Sequence, residues 1–514
     1  MSIRDKIHAD RAANPDAYTS NGQYADEAEP PRATAADTAA DTSNSQADKI
    51  VVLGLELYDL GRTSAGDAYA VQRGGPNIAR MFRGSRDSLR SMLAREYRRK
   101  FKRTPSSSAL ADAIISLQGE ADDSSASNDA SLRVSSTGDT ITIDLGTADG
   151  SVVIINPSGW RIEPRSPVLF RRTPLTGPMP LPERGGSLAL LCDLLNVDAE
   201  SWPLLVGWLI ATFIPDIPHP IALFTGLQGT GKTTAAKMLV ELVDPSAAPT
   251  RASPKDLEQW AVAAHGSWVV CIDNVSHISG WLSDALCRAV TGDAMVRRAL
   301  YTDGDVSVMS FKRCIALTSI DAGALRGDLG ERLVMIDLEP IPETKRRADA
   351  ELQRLYRERR PLILGALFDL LAATLAARPS IRIDKLPRMA DFALLLAAMD
   401  KATGTDPLAD PSSAFNLFNK QSGRVAADVV ENDPFADAIL TMMQGVQEWE
   451  GTASELHHKL TPLKPPHGWP ADAARIGGRI KRITPAMAAV GVVITWSRPG
   501  GHRLLTITKT EGNA

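Results

Sequence analysis

Gly226-Leu227-Gln228-Gly229-Thr230-Gly231-Lys232-Thr233 is the stretch on which the fold turns. It satisfies the pattern GxxxxGK[ST] at every fixed position. The residues before it, Ile221 to Thr225, form a continuous apolar run suited to a buried strand, and those after it read as a helix. In that context the glycines let backbone N–H groups turn toward phosphates, and the helix adds the positive end of its dipole. Gly226, Gln228, Gly229, Thr230, Gly231, Lys232, Thr233 and Thr234 are therefore expected to bind a nucleoside triphosphate. Lys232 would reach the β and γ phosphates, and the Thr233 hydroxyl would complete the shell of a magnesium ion. A glycine-rich turn with an incidental lysine is the bland alternative, and it leaves the flanking strand and helix unexplained.

Working outward from the loop, three more apolar runs have the length of strands buried on both faces: Trp268 to Ile272, Cys314 to Leu317 and Leu333 to Ile336. Helical segments separate them, which is the alternation a parallel α/β sheet requires. Asp273 closes the first of these runs some 40 residues after the loop, where a carboxylate can hold magnesium through water. An ordinary strand-terminal aspartate is the alternative. Asn274 follows it, at a position where many ATPases carry a glutamate that activates water, so binding is better supported than hydrolysis.

The 514 residues suggest about three domains. With 44% hydrophobic and 23% charged residues, the composition is that of a globular protein and excludes global disorder. The net charge is only −4, but residues 1–50 carry five basic and nine acidic side chains while residues 471–514 carry seven and two. Cys192, Cys271, Cys287 and Cys314 lack metal-site spacing and read as buried thiols of a reducing compartment. The start has no signal-peptide pattern, and the run Leu204 to Ile214 is too short to cross a bilayer, so a cytoplasmic location without membrane is expected. Residues 1–46 read as a disordered tail, 47–203 as an α+β accessory domain, 204–343 as the α/β P-loop NTPase core, 344–432 as a helical lid or bundle, and 433–514 as a winged-helix domain.

Beyond the loop, an ordered series of short motifs stands out. Ile272 to Ser276, Trp281 to Arg288, Thr291 to Asp293, Arg298 to Asp303, Arg313 to Ile320, Arg326 to Arg332 and Leu386 to Ala393 follow one another. This series resembles the superfamily 3 helicase-like ATPases of phages, satellite elements and integrated plasmids, a branch of the AAA+ class. More specifically, it is similar to actinobacterial ATP-binding proteins of mobile elements, which often sit beside primase-polymerases. The resemblance extends from about Leu57 to the C-terminus. It implies an AAA+-like core, ATP as the nucleotide with Mg2+, DNA as substrate, a primase-polymerase as possible partner, and a homo-oligomeric ring. In such a ring an arginine from one subunit completes the neighbour's site, and Arg326 and Arg332 are the candidates; for each, a surface salt bridge is the alternative. The chain departs from the family at Thr318, where an asparagine usually positions the attacking water, and at Thr291-Gly292-Asp293-Ala294, which replaces a more glycine-rich turn. With Asn274, this leaves Lys232, Asp273, Asn274, Thr318, Arg326 and Arg332 as the catalytic set and no evident general base except Asp273.

The final 80 residues read as three helices, Phe435 to Met443, Thr452 to Leu460 and Ala473 to Val490, then strands Val492 to Trp496 and Arg503 to Ile507. Arg475, Arg479 and Arg482 recur at i, i+4 and i+7 with Lys481 beside them, a basic face suited to DNA phosphates. Arg498, His502 and Arg503 would lie on the wing. A solvated face of a protein-binding winged helix is the alternative. A second cluster, Arg95, Arg98, Arg99, Lys100, Lys102 and Arg103, ends an accessory-domain helix, where the dipole alone can account for it. The leading functional expectation is a helicase-like DNA motor or loader in replication of a mobile element. A regulatory or assembly ATPase with slow turnover is the second, and a small-molecule kinase is disfavoured because no acceptor-binding domain is visible.

Overall fold

The computed structural model describes residues 45–82, 84, 87–124, 127–298, 306–319, 327–431, 433–466, 469–498 and 503–510. Residues 1–44, nearly all of the expected tail, lie outside the described residues. The first described element is a helix, Gln46–Leu57, whose N-terminus is closed by a reciprocal capping box between Ser45 and Asp48.

Among the described residues, two sheets and four helices follow before the strand that leads into the P-loop. Strands β1 (Tyr58–Arg62), β2 (Ala68–Gln72) and β3 (Ile78–Met81) pair antiparallel, and helices Leu89–Phe101 and Ser107–Asp123 pack beside them. A meander follows: β4 (Val134–Thr137), β5 (Thr140–Asp144), β6 (Val152–Asn156) and β7 (Gly159–Glu163), after which the short β8 (Phe170–Arg171) returns to β3 in parallel. The alternation of Ile141, Ile143 and Leu145 aims those side chains inward, as period two requires. What they meet is the half of the molecule that carries the P-loop. Val134, Ile143, Val153, Ile155 and Trp160 share one continuous core with Phe224, Leu239 and Phe368, whereas Ile50, Leu53, Leu93, Tyr97 and Leu117 form a separate core. The segment 47–203 thus divides its side chains between these two cores and two smaller clusters, one around Ile154 and Phe170 and one around Tyr69 and Leu169.

The central sheet holds β9 (Ile221–Thr225), β10 (Val269–Ile272), β13 (Cys314–Thr318) and β14 (Leu333–Asp337), all parallel, in the order β10-β13-β9-β14. Alternate residues of the same strands feed opposite layers: Ala222, Phe224, Cys271 and Ile336 face helices Ser201–Thr212, Lys232–Val243 and Asp349–Ala377, while Leu223, Val270, Ile272 and Leu317 face helices Leu257–Gly266 and Gly280–Thr291. Burial on both faces explains the unbroken apolar runs. Between β10 and β13 the chain inserts an antiparallel hairpin, β11 (Asp293–Arg298) with β12 (Val306–Phe311). Sequence reading had no such element there. Of the thiols, Cys271, Cys287 and Cys314 are buried as expected, but Cys192 is exposed on the short helix Ala189–Cys192, which corrects that reading.

Three helices cover the sheet: Asp349–Ala377, Ala390–Ala402 and Ala414–Glu431. The first is long and apolar enough to cross a membrane, yet Ile363, Leu364, Leu367, Phe368 and Leu371 are packed in the core. Gln421 on the third closes the open edge of β14, its amide bonding both the N–H and the C=O of Met335 at 2.8 Å. That pairing satisfies backbone groups which an edge strand otherwise leaves free. The C-terminal unit runs helix Pro434–Met442, β15 (Glu448–Gly451), helices Ala453–Leu460 and Ala473–Ala489, then β16 (Val492–Ser497) and β17 (Leu504–Lys509), with sheet order β15-β17-β16. It has its own core around Phe435, Ile476, Ile480 and Leu505.

Candidate nucleotide site

The loop leaves β9 at its carboxyl end and enters helix Lys232–Val243. Gly226, Gly229 and Gly231 take φ of 138°, 82° and 81°, values that side chains disfavour. At Gly226 space is also closed, because an added Cβ would stand 2.6 Å from the Leu338 carbonyl oxygen. Gly231 caps the helix, so the first-turn N–H groups of Lys232, Thr233 and Thr234 have no partner within the helix and form an anion-binding end. Thr230 is buried and ties the loop internally, its hydroxyl donating to the Leu227 carbonyl at 2.9 Å. Gln228 is exposed at the tip beside Leu227. Lys232 folds over the loop, its ammonium donating to the carbonyls of Gly226 at 2.7 Å and Leu227 at 2.8 Å. Partial burial lowers its pKa from the usual lysine range, and Asp273 opposes that shift.

The second half of the site lies two strands away. Asp273 follows β10, and one of its carboxylate oxygens accepts from Thr233 Oγ1 at 2.8 Å and from Thr318 Oγ1 at 2.6 Å. Thr318 ends β13, the strand between β9 and β10, and is buried. Its hydroxyl also accepts the Asn274 N–H at 2.8 Å. The single hydroxyl proton is therefore directed at Asp273, so Thr318 orients the carboxylate here. Asn274 is exposed and left-handed, with φ 55°. The N–H of Asp273 is held by the Arg251 carbonyl at 2.8 Å.

Several neighbours were missed by sequence reading. Asp337, at the end of β14, accepts a hydrogen bond from Thr225 immediately before the loop. Ile341 and Asn196 approach Gly231 from the other side, where an added Cβ would lie 3.6 Å and 3.7 Å from them. Asp337 was detectable: like Asp273, it is the acidic residue that closes an apolar run. Asn196 carries no such signal.

Arg332 closes a 3-10 turn, Gly327–Arg332, at the start of β14. Because Leu333 pairs with Ile221, Arg332 sits at the amino edge of the sheet, about 13 Å of strand from the loop. It lines a cavity of about 140 Å³ with Thr291, Arg388 and Asp391. Arg326 and His502 lie outside the described residues. In the C-terminal unit Arg475 and Arg482 are exposed on helix Ala473–Ala489, and Arg498 and Arg503 are exposed beside the hairpin, Arg503 stacked 4.0 Å over Trp496. Arg479 departs from the expected face. It is half-buried and pairs at 2.7 Å with Asp433, the residue capping helix Pro434–Met442. Its charge is committed inside the unit, which removes it from the phosphate-facing set.

Two family models match this chain. One, described as actinomycete integrative conjugative element replication protein, matches residues 187–419; the other, described as the AICE RepA C-terminal domain, matches residues 435–514. Among solved structures, the chain is similar to the apo C-terminal region of NrS-1 at 13% identity and TM-score 0.37, over 91% of this chain and 100% of that one. It is similar to SCCmec type IV Cch, described as an active helicase, at 12% identity and TM-score 0.42, over 88% and 93%. A third is JCV helicase, at 16% identity and TM-score 0.22, over 41% and 67%. No curated protein matches the chain.

Proposed function

We propose that this protein is an ATP- and magnesium-dependent DNA-remodelling ATPase, a helicase-like motor or loader serving replication of a mobile element. One observation carries the reading: a single Asp273 oxygen gathers the P-loop hydroxyl of Thr233 and the strand-end hydroxyl of Thr318. Three adjacent strand ends thus converge where a triphosphate would lie, outside the carboxyl edge of a parallel sheet. The replication-protein model that spans this site supports the biological setting.

The residues present fit a magnesium ion, since Thr233 and Asp273 supply hard oxygen donors already side by side. When bound, the ion would neutralise charge on the β and γ phosphates. The protein's own part is to exchange the Lys232 bonds to loop carbonyls for bonds to phosphate, and to hold Asp273 through Thr318. The hairpin β11-β12 joins helix Gly280–Thr291 to the start of β13, so a shift at Asp273 or Thr318 would reach it through that helix or that strand. Arg332, on the opposite edge from its own loop, suits a neighbouring subunit's site in a homo-oligomer. The C-terminal unit, with three helices and a three-stranded antiparallel sheet ending in a hairpin, has winged-helix order; Arg475, Arg482, Arg498 and Arg503 are its candidate DNA contacts.

A second reading, an ATP-dependent assembly or regulatory protein that does not translocate, is favoured by exposed Asn274 after the magnesium aspartate and by the commitment of the Thr318 proton to Asp273. ATP turnover with and without single-stranded DNA separates the two, with Lys232→Ala as control. DNA-stimulated turnover that the variant loses supports the motor. Nucleotide binding with negligible turnover in either condition sinks it.

A further inference from the structure

We infer that helix Leu89–Phe101, with Lys102 and Arg103 beyond it, is a second DNA-backbone contact surface, separate from the C-terminal unit and resting on the same DNA-dependent reading. From Arg90 to Arg103 the chain carries five arginines and two lysines against one acid, Glu96. Leu89, Leu93 and Tyr97 anchor the helix in the N-terminal core, and this leaves the cations on the outer face. Arg90, Arg98, Arg99, Lys100, Lys102 and Arg103 are exposed.

Intramolecular pairing does not use up this charge. Arg99 pairs with Glu96, Lys100 with Glu56, and Arg95 stands 3.8 Å from Asp87. Arg90, Arg98, Lys102 and Arg103 have no ion pair among the described residues. Helix-dipole stabilisation covers only the last turn, which holds Arg98, Arg99 and Lys100. It gives no reason for Arg90 or Arg103, and like charges three and four residues apart repel.

Lys102 is the more telling residue. It occupies the C-cap in the left-handed conformation, φ 57° and ψ 19°, with its N–H on the Arg98 carbonyl at 2.9 Å. Stability alone favours glycine or asparagine at such a position, so a lysine there keeps charge at a cost in backbone strain.

The chemistry selects a phosphate backbone. Arginine predominates, whose planar fork matches phosphate oxygens. No large apolar side chain on this helix is exposed, so nothing on it would insert into a lipid surface. Thirteen residues at 1.5 Å rise span roughly 20 Å, the axial length of about six phosphates of one strand. Contacts of this kind read no sequence.

The test uses the full chain and fluorescently labelled duplexes of two unrelated sequences, with anisotropy measured across a salt series. The variant Arg90→Gln/Arg98→Gln/Lys102→Gln/Arg103→Gln should lower affinity equally for both, and reduce the slope of log affinity against log salt by roughly 3 to 4. Binding of a fluorescent ATP analogue should be unchanged, which controls for folding. Lys102→Gly should leave the thermal midpoint unlowered and still weaken DNA binding, a combination that a merely structural lysine would not give. Unchanged affinity and slope in the quadruple variant overturn the inference, as does a loss confined to one sequence. If the quadruple variant binds DNA normally while Arg475→Gln/Arg482→Gln does not, this inference fails and the proposed function stands. If the unsubstituted chain binds neither the duplexes nor a labelled single strand, the proposed function fails with it.

Discussion

The two edges of the central sheet are built from the same four strands and differ in almost every other respect. At the carboxyl edge the polar groups are partly open to solvent and bonded to one another: Lys232 to its own loop, Thr233 and Thr318 to Asp273, Thr225 to Asp337. At the amino edge charge is buried and fixed. Arg133 is wholly buried and bonds Asp244 at 2.9 Å, while the other Asp244 oxygen accepts the N–H groups of Trp268 and Val269 where β10 begins. Arg133 also donates to the carbonyls of Asp144 and Gly177, so the meander, the P-loop helix and β10 are joined at one point. One edge can exchange partners with a ligand; the other holds the strands still while it does so.

That contrast is open to attack, first at the carboxyl edge. Lys232→Ala should reduce ATP turnover by on the order of 10²-fold or more while leaving the thermal midpoint nearly unchanged, since the two bonds it loses are within an exposed loop. Arg332→Ala, at the amino edge of its own sheet, should lower turnover by about 10³-fold if it completes the carboxyl-edge site of a neighbour. Mixing it with Lys232→Ala should restore activity, because a mixed ring contains interfaces with both groups intact; no recovery on mixing would place Arg332 outside the site. At the amino edge the expected loss is in stability. Asp244→Asn leaves Arg133 buried without its counter-charge and should cost about 3–5 kcal/mol in urea unfolding. An intermediate effect is expected of Thr318→Val, which strands the Asn274 N–H and removes one donor from Asp273. A penalty of about 1–3 kcal/mol felt in the transition state is roughly a 10- to 100-fold loss of kcat, and Thr318→Ser should recover most of it.

The carboxyl edge was largely legible in the sequence and the amino edge was not. Gly226 to Thr233 carries its chemistry in consecutive residues and Asp273 closes an apolar run, so local pattern was enough to place them, whereas Thr318 stood out only through the family resemblance. The Arg133–Asp244 pair joins positions 111 residues apart, and neither lies in a motif. The same limit explains Arg479, whose basic periodicity was genuine but whose partner Asp433 belongs to another helix. Strand β15, Glu448–Gly451, escaped notice because it is a half-exposed edge strand with two acids in four residues. The place of the meander in the P-loop core rests on contacts such as Trp160 with Phe368, ring centres 6.0 Å apart, which leave no local trace.

The smallest expected effect is the one most specific to the amino edge. His219 is wholly buried before β9, edge-on to Trp268 at 5.5 Å, and neither ring nitrogen has a hydrogen-bond partner among the described residues. Burial, with Lys312 and Arg313 nearby, lowers its pKa to about 3. The ring is therefore neutral in the folded protein, whereas in the unfolded chain it titrates near 6.5. Between those values the unfolded state binds more protons, so stability is complete above about pH 6.5 and falls as pH drops toward 3, by about 1.4 kcal/mol per pH unit from this residue. His265, lowered to about 4 chiefly by burial, acts in the same direction. Unfolding by urea at pH 6.5, 5.75 and 5.0 lies above most carboxylate titration and isolates the two histidines. His219→Phe should flatten the dependence to the part due to His265 and leave stability at pH 7 equal or higher, since an apolar ring relieves two unpaired nitrogens. An unaltered slope would mean that the amino edge opens to water well before the sheet unfolds, and the contrast between the two edges would then fail.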